Sequence, residues 1–181
     1  QPPRARGLGD VYMRQSMDGG LTWTGIAAGG GYQFEPFAYS SSVYGQGVYD
    51  NAVGVTLNDP EKIFVGGVGL YSWNPSDGWN KIATTGDDPT YYVHADMHYV
   101  QAHPTNANTI YFMNDGGVFV SFDGGETFAQ MTHGYRTMQM YSVAVSDSGN
   151  VIGGLQDNGT HYIAYAGQTN SSSVELSGGD G

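Results

Sequence analysis

The feature that most limits how this chain can fold is an internal repeat. Three eight-residue stretches resemble one another: 16–23 (SMDGGLTW), 72–79 (SWNPSDGW) and 121–128 (SFDGGETF). The first and the third share Ser, Asp, Gly, Gly, Thr and a final aromatic residue in register, whereas the middle copy keeps only the Ser, a displaced Asp-Gly pair and the Trp. Two good copies and one degenerate copy exceed what chance produces, so the chain repeats a supersecondary unit.

The stretches that precede this motif also repeat. The segments that begin at Val55, Val100 and Val143 each have the pattern strand, turn, strand, and their first residues are 45 and 43 positions apart. A period of this length is typical of a unit of about four short strands, which is the size of a β-propeller blade. The sequence therefore predicts an all-β fold: a β-propeller fragment of about three four-stranded blades plus partial blades.

Composition agrees with this fold class and limits the partners. Among 181 residues the chain has 29 Gly and 7 Pro, which indicate frequent turns, and 14 Tyr, which a disordered low-complexity chain would lack. A formal net charge of −11 disfavours nucleic acid and anionic membranes as partners. The chain has no Cys, which excludes a disulfide scaffold, and no apolar run approaches the ~18 residues of a membrane span. An acidic, Lys-poor composition and a first residue other than Met favour a mature, secreted bacterial protein.

The repeats predict one propeller with several segments. In chain order these are a partial blade 7–24, a Gly-rich and aromatic loop 25–48, a blade 49–83, a blade 94–131, a blade start 140–165 and the start of a further blade 174–181. Because an open run of blades leaves strand edges unpaired, we expect the partners to include further blades of a parent chain or neighbouring chains.

The eight-residue motif predicts a hairpin turn that supplies its own hydrogen bonds. Asp123 can accept bonds from N–H groups inside the turn, Gly124 and Gly125 can adopt positive φ, and the aromatic residue can pack between blades. We therefore interpret both good copies as structural rather than ligand-binding. The residues assigned to this role are Ser16, Asp18, Gly19, Gly20, Trp23, Ser121, Asp123, Gly124, Gly125 and Phe128.

These motifs resemble the Asp-box, or BNR, repeats of sialidases, sortilin-type receptors and xyloglucanase-type glycoside hydrolases. The run HADMHYVQAHP, followed by NDGGVFVSFDGGETF, MQMYSVAV and GGLQDNGT, looks like the sortilin-like propellers of large secreted bacterial proteins, many of them tailed for type IX secretion. The resemblance covers residues 16–181. It implies part of a larger propeller that is secreted or displayed on the bacterial cell surface.

The same resemblance implies a binding face. In such propellers ligands usually bind where the innermost strands start, and the eight-residue motif lies on the opposite face. The loops before the inner strands are rich in aromatic residues, whose flat faces and hydroxyls suit sugars or extended peptides, although packing over their own blade stays open as the alternative. We therefore predict a non-enzymatic binding or scaffolding module for a glycan or a protein. Its candidate ligand-binding residues are Tyr32, Phe34, Tyr91, Tyr92, His94, Asp96 and His98.

Three of these residues also form a candidate metal-binding pattern. His94, Asp96 and His98 follow a period of two, so on a strand their side chains would project from one side. This set fits Zn²⁺ or another transition metal, and it equally fits a polar hydrogen-bonding cluster in a propeller channel. Because three residues without a fourth ligand are a weak motif, we predict no cofactor and keep a divalent metal here as the alternative.

Two aspartates suggest an alternative function. Asp115 in NDGG and Asp157 in QDNG occupy corresponding loops of consecutive blades, and Asp115 resembles the catalytic Asp of xyloglucanase-type hydrolases. Part of such a glycoside hydrolase is therefore the alternative, with these two residues as its catalytic candidates. Acid/base hydrolysis needs two carboxyls of different protonation state across one bond, and these two belong to adjacent blades that face the same way. We therefore expect no catalytic residue and no enzyme activity from this chain alone.

Overall fold

The computed structural model describes residues 12–28, 36–37, 46–83, 88–134 and 138–181. The regular secondary structure of these ranges consists of β-strands, and within them no helix is long and apolar enough to cross a membrane. The predicted ligand residues Tyr32 and Phe34 lie outside the described residues.

The strands form antiparallel sheets in which neighbours in sequence are also neighbours in the sheet. A two-stranded sheet contains β1 (Tyr12–Gln15) and β2 (Thr24–Ala28). The first four-stranded sheet contains β3 (Ala52–Val55), β4 (Ile63–Gly66), β5 (Leu70–Asn74) and β6 (Gly78–Lys81). The second contains β7 (Met97–Ala102), β8 (Ile110–Asn114), β9 (Gly117–Ser121) and β10 (Ala129–Gln130). The third contains β11 (Met140–Val145), β12 (Val151–Leu155), β13 (Thr160–Ile163) and β14 (Ser173–Ser177).

Three successive four-stranded meanders of similar length are the units of a propeller, and we call them the first, second and third blades. In the first two blades the packing also follows this architecture, because β7 lies against β3 and β4 of the preceding sheet. The chain is therefore an all-β propeller fragment, as the repeats predict.

Aromatic side chains fill the space between the first and second blades. Phe64 from β4 meets Phe112 from β8 edge to face, with ring centroids 5.6 Å apart, and Phe112 meets Phe128 in the same way at 5.5 Å. Glycine lets the two sheets approach: a Cβ on Gly54 would lie 2.5 Å from Cγ1 of Val100. The two blades thus share one core, and a larger residue at Gly54 would separate them.

The third blade differs from its predicted boundaries. The segment 174–181 was expected to start a further blade, but Ser173–Ser177 pairs with β13 and completes the third blade as its fourth strand. Residues beyond it fold back on the same sheet, where the Gly181 N–H donates to the Leu155 carbonyl at 2.9 Å. The turn before β14 lacks the eight-residue motif, so the sequence offered no sign that this strand belongs to the same blade.

The two-stranded sheet also extends further than predicted. Its strand β2 continues to Ala28, so the loop predicted at 25–48 begins inside a strand. The chain divides into two compact units, one formed by residues 1–114 and 118–131 and the other by 115–117 and 132–181.

Candidate functional site

Each blade has two chemically different ends. One end, which we call the strand-start end, is where β3, β7 and β11 begin and where the second strand turns into the third. The opposite end, which we call the turn end, carries the connections between the third and fourth strands, including the eight-residue motif at 121–128 between β9 and β10.

At the turn end, the motif satisfies its own polar groups. The Asp123 carboxylate accepts hydrogen bonds from the Thr127 N–H at 2.9 Å and the Thr127 hydroxyl at 2.5 Å, and the Ser121 hydroxyl donates to it at 2.7 Å. The Ser121 oxygen in turn accepts from the Gly125 N–H at 2.7 Å. The copy at 16–23 repeats this pattern, with Thr22 donating to Asp18 at 2.9 and 2.6 Å.

These hydrogen bonds change the acidity of both aspartates. Donation from the Thr22 side chain and backbone, and then from Ser16, lowers the pKa of Asp18 to about 2. For Asp123 burial acts in the opposite direction, but the bonds from Thr127 and Ser121 outweigh it and lower the pKa to about 2. Both carboxylates therefore have their hydrogen-bond partners within their own turn.

The second copy is also packed into the fold. Gly124 and Gly125 have φ of 79° and 96°, and a Cβ on Gly125 would lie 2.7 Å from Cε1 of Phe64 in the first blade. Lys62 approaches Glu126 of the turn at 3.8 Å. The turn therefore fastens the second blade to the first.

The strand-start end of the first two blades contains a buried carboxylate pair. Asp50 is fully buried and Asp96 is 7% exposed, with Asp96 in the left-handed region at φ 60°. Gln46 donates its side-chain N–H to Asp96 at 3.0 Å, and the Gln46 carbonyl accepts from the Asp50 N–H at 3.1 Å. Neither carboxylate oxygen of Asp50 has a hydrogen-bond partner among the described residues.

This environment raises the proton affinity of Asp50. Burial, and next the negative charge of Asp96, raise the pKa of Asp50 to about 6, while the nearby N–H groups of Asp50 itself and of Gln46, which do not reach hydrogen-bond geometry, offset only part of the increase. No basic group contributes to this shift. A carboxyl group is thus held in the interior without the counter-charge that buried acids usually have.

Beside this pair, an aromatic contact reaches the surface. Tyr49 is 56% exposed and meets the exposed His98 edge to face, with ring centroids 4.9 Å apart. The pair combines apolar faces with a hydroxyl and an imidazole, which are groups that can bind sugars or peptides. Because Tyr49 directly precedes Asp50, the exposed pair and the buried carboxylates belong to one local surface.

The structure separates the predicted ligand residues. The carbonyl of Thr90, next to Tyr91, accepts from the Phe128 N–H at 2.9 Å, which places Tyr91 at the turn end. Tyr92 packs against the core, with its ring 5.7 Å from that of Phe119. Only His94, Asp96 and His98 of the described candidates lie at the strand-start end, because the chain crosses the blade between Tyr91 and His94.

The proposed strand periodicity of these three residues is also interrupted. The strand β7 begins only at Met97, so His94 and Asp96 precede it, and Ala95, Asp96 and Met97 are buried in succession rather than in alternation. His94 places its Nδ1 3.0 Å from the Ala95 carbonyl. Among the described residues, the ligand atoms of His94, Asp96 and His98 do not converge into a metal-binding group.

The other unit, which includes residues 115–117 between β8 and β9, carries carboxylates and a tyrosine. Carboxylate oxygens of Asp115 and Asp157 lie within 4.8 Å of each other, and the Asn158 side chain donates to the Asp115 carbonyl at 3.1 Å. Tyr141 is 56% exposed, and partial burial, followed by the charges of Asp180 and Asp157, raises its pKa. This unit therefore also combines an exposed tyrosine with acidic groups.

Sequence reasoning missed four of these residues: Gln46, Tyr49, Asp50 and Tyr141. For Tyr49 and Asp50 the sequence did contain a signal, which is their position along the blade. They lie just before β3, as Asp96 lies just before β7. The link between Asp50 and Asp96 spans two blades and has no signature in local spacing.

Comparison with known proteins assigns no family to this chain. No protein-family model matches the chain, and no curated protein is significantly similar to it. A solved structure of YCF48 bound to D1 peptide is similar to 93% of this chain at 15% identity, with a TM-score of 0.40. The match covers 49% of that structure's chain, so this chain spans about half of its length.

Proposed function

We propose that this chain is a non-enzymatic recognition module that binds a glycan or a protein segment at the strand-start end of its blades. One observation carries the proposal: the two ends differ in how their polar groups are used. At the turn end, the aspartates of the motif accept hydrogen bonds from their own turn, as Asp123 does from Thr127. At the strand-start end of the first two blades, the exposed rings of Tyr49 and His98 meet beside the buried Asp50.

The chemistry of this surface favours a neutral or basic ligand. A tyrosine offers an apolar face for a sugar ring or a side chain, and its hydroxyl can exchange hydrogen bonds with the ligand. The formal net charge of −11 repels anionic partners at long range. We therefore expect a neutral glycan or an extended peptide without acidic residues.

The parent protein, in this proposal, is an Asp-box propeller that bacteria secrete or display on the cell surface. The hydrogen bonding of the turns at 16–23 and 121–128 supports this assignment, because the Ser, Asp and Thr that define the resemblance are the residues that bond to one another. Detection of the full-length protein in culture medium or on intact cells, against a cytosolic marker, tests the location.

The binding proposal is tested by matched tyrosine variants of the full-length protein. Ligands are first selected from a glycan array and a peptide display library, and affinities are measured by calorimetry. Tyr49→Ala should weaken binding about fivefold to thirtyfold, the effect of a partly buried aromatic anchor. The control is Tyr91→Ala, since Tyr91 is 46% exposed but lies at the turn end. Equal losses in both variants, or a loss only with Tyr91→Ala, contradict the proposal.

The second candidate, a glycoside hydrolase, depends on the approach of Asp115 and Asp157. Oxygens within 4.8 Å are closer than the roughly 6.5 to 9.5 Å between carboxyl groups that inverting enzymes need for a water molecule. We therefore expect no turnover of xyloglucan or aryl glycosides by an inverting mechanism from this chain. Turnover that Asp115→Asn abolishes, with folding unchanged, would rank the hydrolase first.

A further inference from the structure

The fully buried Asp50 needs an explanation that the recognition surface does not supply. Its two carboxylate oxygens have no hydrogen-bond partner among the described residues, and its closest acidic neighbour, Asp96, is itself 7% exposed. Leaving a buried carboxylate without donors costs several kcal/mol in general, and a second carboxylate beside it increases the cost. Either a proton or a cation can compensate the charge of Asp50.

We propose that Asp50 and Asp96 bind a divalent cation of the Ca²⁺ class at the strand-start end of the first and second blades. The donor chemistry selects this class, because carboxylate and amide oxygens are hard ligands, and no cysteine is present to attract a softer metal. Ca²⁺ also tolerates irregular coordination and accepts bidentate carboxylates, whereas Mg²⁺ demands a regular octahedron. Two carboxylates neutralise the charge of the ion.

The neighbouring groups are arranged in a way that supports such an ion. Gln46 donates to Asp96 at 3.0 Å and so fixes the orientation of that carboxylate, which is a typical role for a residue that supports a metal ligand. The Met97 N–H donates to the Gly67 carbonyl at 2.8 Å, so the start of β7 is fastened to the first blade. Asp50 and Asp96 are therefore held in place from both blades before any ion binds.

The location suggests what the ion does. Asp50 precedes the inner strand of the first blade, and Asp96 precedes the inner strand of the second. An ion between them would join the two blades at the strand-start end, as the turn at 121–128 joins them at the turn end. The cation site is a separate inference from the recognition surface, because it uses buried carboxylates rather than exposed tyrosines.

The test uses the full-length protein after EDTA treatment and dialysis. Ca²⁺ alone is titrated in by calorimetry, and thermal unfolding is followed with and without it. Because an ion that binds only the folded state stabilises it, Ca²⁺ at a hundredfold excess over its Kd should raise the unfolding temperature by about 5 to 10 °C. Asp50→Asn and Asp96→Asn should each reduce this shift to less than a third, while Glu61→Gln, which removes an exposed charge from the same unit, should leave it unchanged.

Each other outcome overturns the proposal. If the wild-type protein neither binds Ca²⁺ nor gains stability from it, a shared proton compensates the pair. In that case Asp50→Asn should raise the unfolding temperature in EDTA. Ca²⁺ binding that survives Asp50→Asn places the ion elsewhere. If Asp50→Asn does not fold, Asp96→Asn answers the same question, since Asp96 keeps slight contact with solvent.

Discussion

At the scale of single residues, aspartates at the two ends of the blades have opposite proton affinities. Hydrogen bonds from Thr127 and Ser121 lower the pKa of Asp123 to about 2 against the effect of burial, whereas burial and the charge of Asp96 raise the pKa of Asp50 to about 6. The side chains are chemically identical. The difference lies in whether N–H and O–H groups reach the carboxylate, and this decides which aspartates stabilise the fold and which can serve another purpose.

The low pKa of Asp123 predicts how stability changes in acid. A carboxyl whose pKa is lowered on folding contributes stability above its unfolded pKa of about 3.9, and this contribution is lost as the pH falls towards 2. Asp123→Asn keeps an acceptor but cannot titrate, so it should lower the unfolding temperature at pH 6, and its difference from the wild type should shrink between about pH 4 and pH 2. Thermal unfolding at pH 6, 4, 3 and 2 measures this, and parallel profiles would contradict it.

These two aspartates also show how far sequence can predict a site. The partner of Asp123 is Thr127, four positions away, so the spacing of the motif already contains the hydrogen bond. The neighbour of Asp50 is Asp96, and only the packing of one blade on the next brings the two together. For Tyr91 and His94 the relation is reversed. They are only three positions apart in sequence, but the chain between them crosses the whole blade, so they lie at opposite ends of it.

At the scale of elements, the same turn conformation occurs in two different environments. The turn at 121–128 is packed against the first blade, while the residues from Met17 to Gly25 in and after the copy at 16–23 are exposed. The sequence predicted the conformation of both turns, because the hydrogen bonds are local. It could not predict which copy is buried, because that depends on Phe64 of another sheet.

This difference predicts unequal effects of the same substitution. Gly20 and Gly125 occupy the same position of the turn with φ of 94° and 96°, so Ala adds the same backbone strain at both. At Gly125 the new methyl would also lie 2.7 Å from Cε1 of Phe64, whereas at Gly20 the nearest atom is 3.9 Å away. Gly125→Ala should therefore cost about 1 to 3 kcal/mol more than Gly20→Ala in the free energy of unfolding. Urea denaturation of both variants decides, and equal costs would mean that Phe64 moves aside freely.

At the scale of the whole molecule, the repeats predicted the number of sheets but not how well each is covered. In β7 of the second blade, Met97 and Val100 are buried. All six residues of β11 in the third blade are exposed, among them Val143 at 57% and Val145 at 67%. The period of a repeat reports the size of each unit, whereas burial depends on what lies beside that unit.

The exposed third blade predicts association. Apolar residues on both faces of this sheet, including those of β11 and Val174 and Leu176 of β14, leave a surface that soluble monomers rarely present. We expect the 181-residue chain expressed alone to self-associate or to be digested rapidly, and expect further blades or a neighbouring chain to cover this sheet in the natural protein. Light scattering after size exclusion tests this. A monodisperse monomer that unfolds cooperatively would contradict it.

The net charge of the chain predicts how ligand binding responds to salt. Because the chain carries a formal charge of −11, binding of a basic peptide through its acidic groups should weaken steeply as ions screen the attraction. Binding through Tyr49 depends on apolar contact, which salt does not screen. If the selected ligand is a neutral glycan or peptide, its Kd should change by less than about threefold between 50 and 500 mM NaCl, and Tyr49→Ala should weaken it equally at both concentrations. An affinity that collapses with salt and ignores Tyr49→Ala would show that the carboxylates, rather than the tyrosines, form the recognition surface.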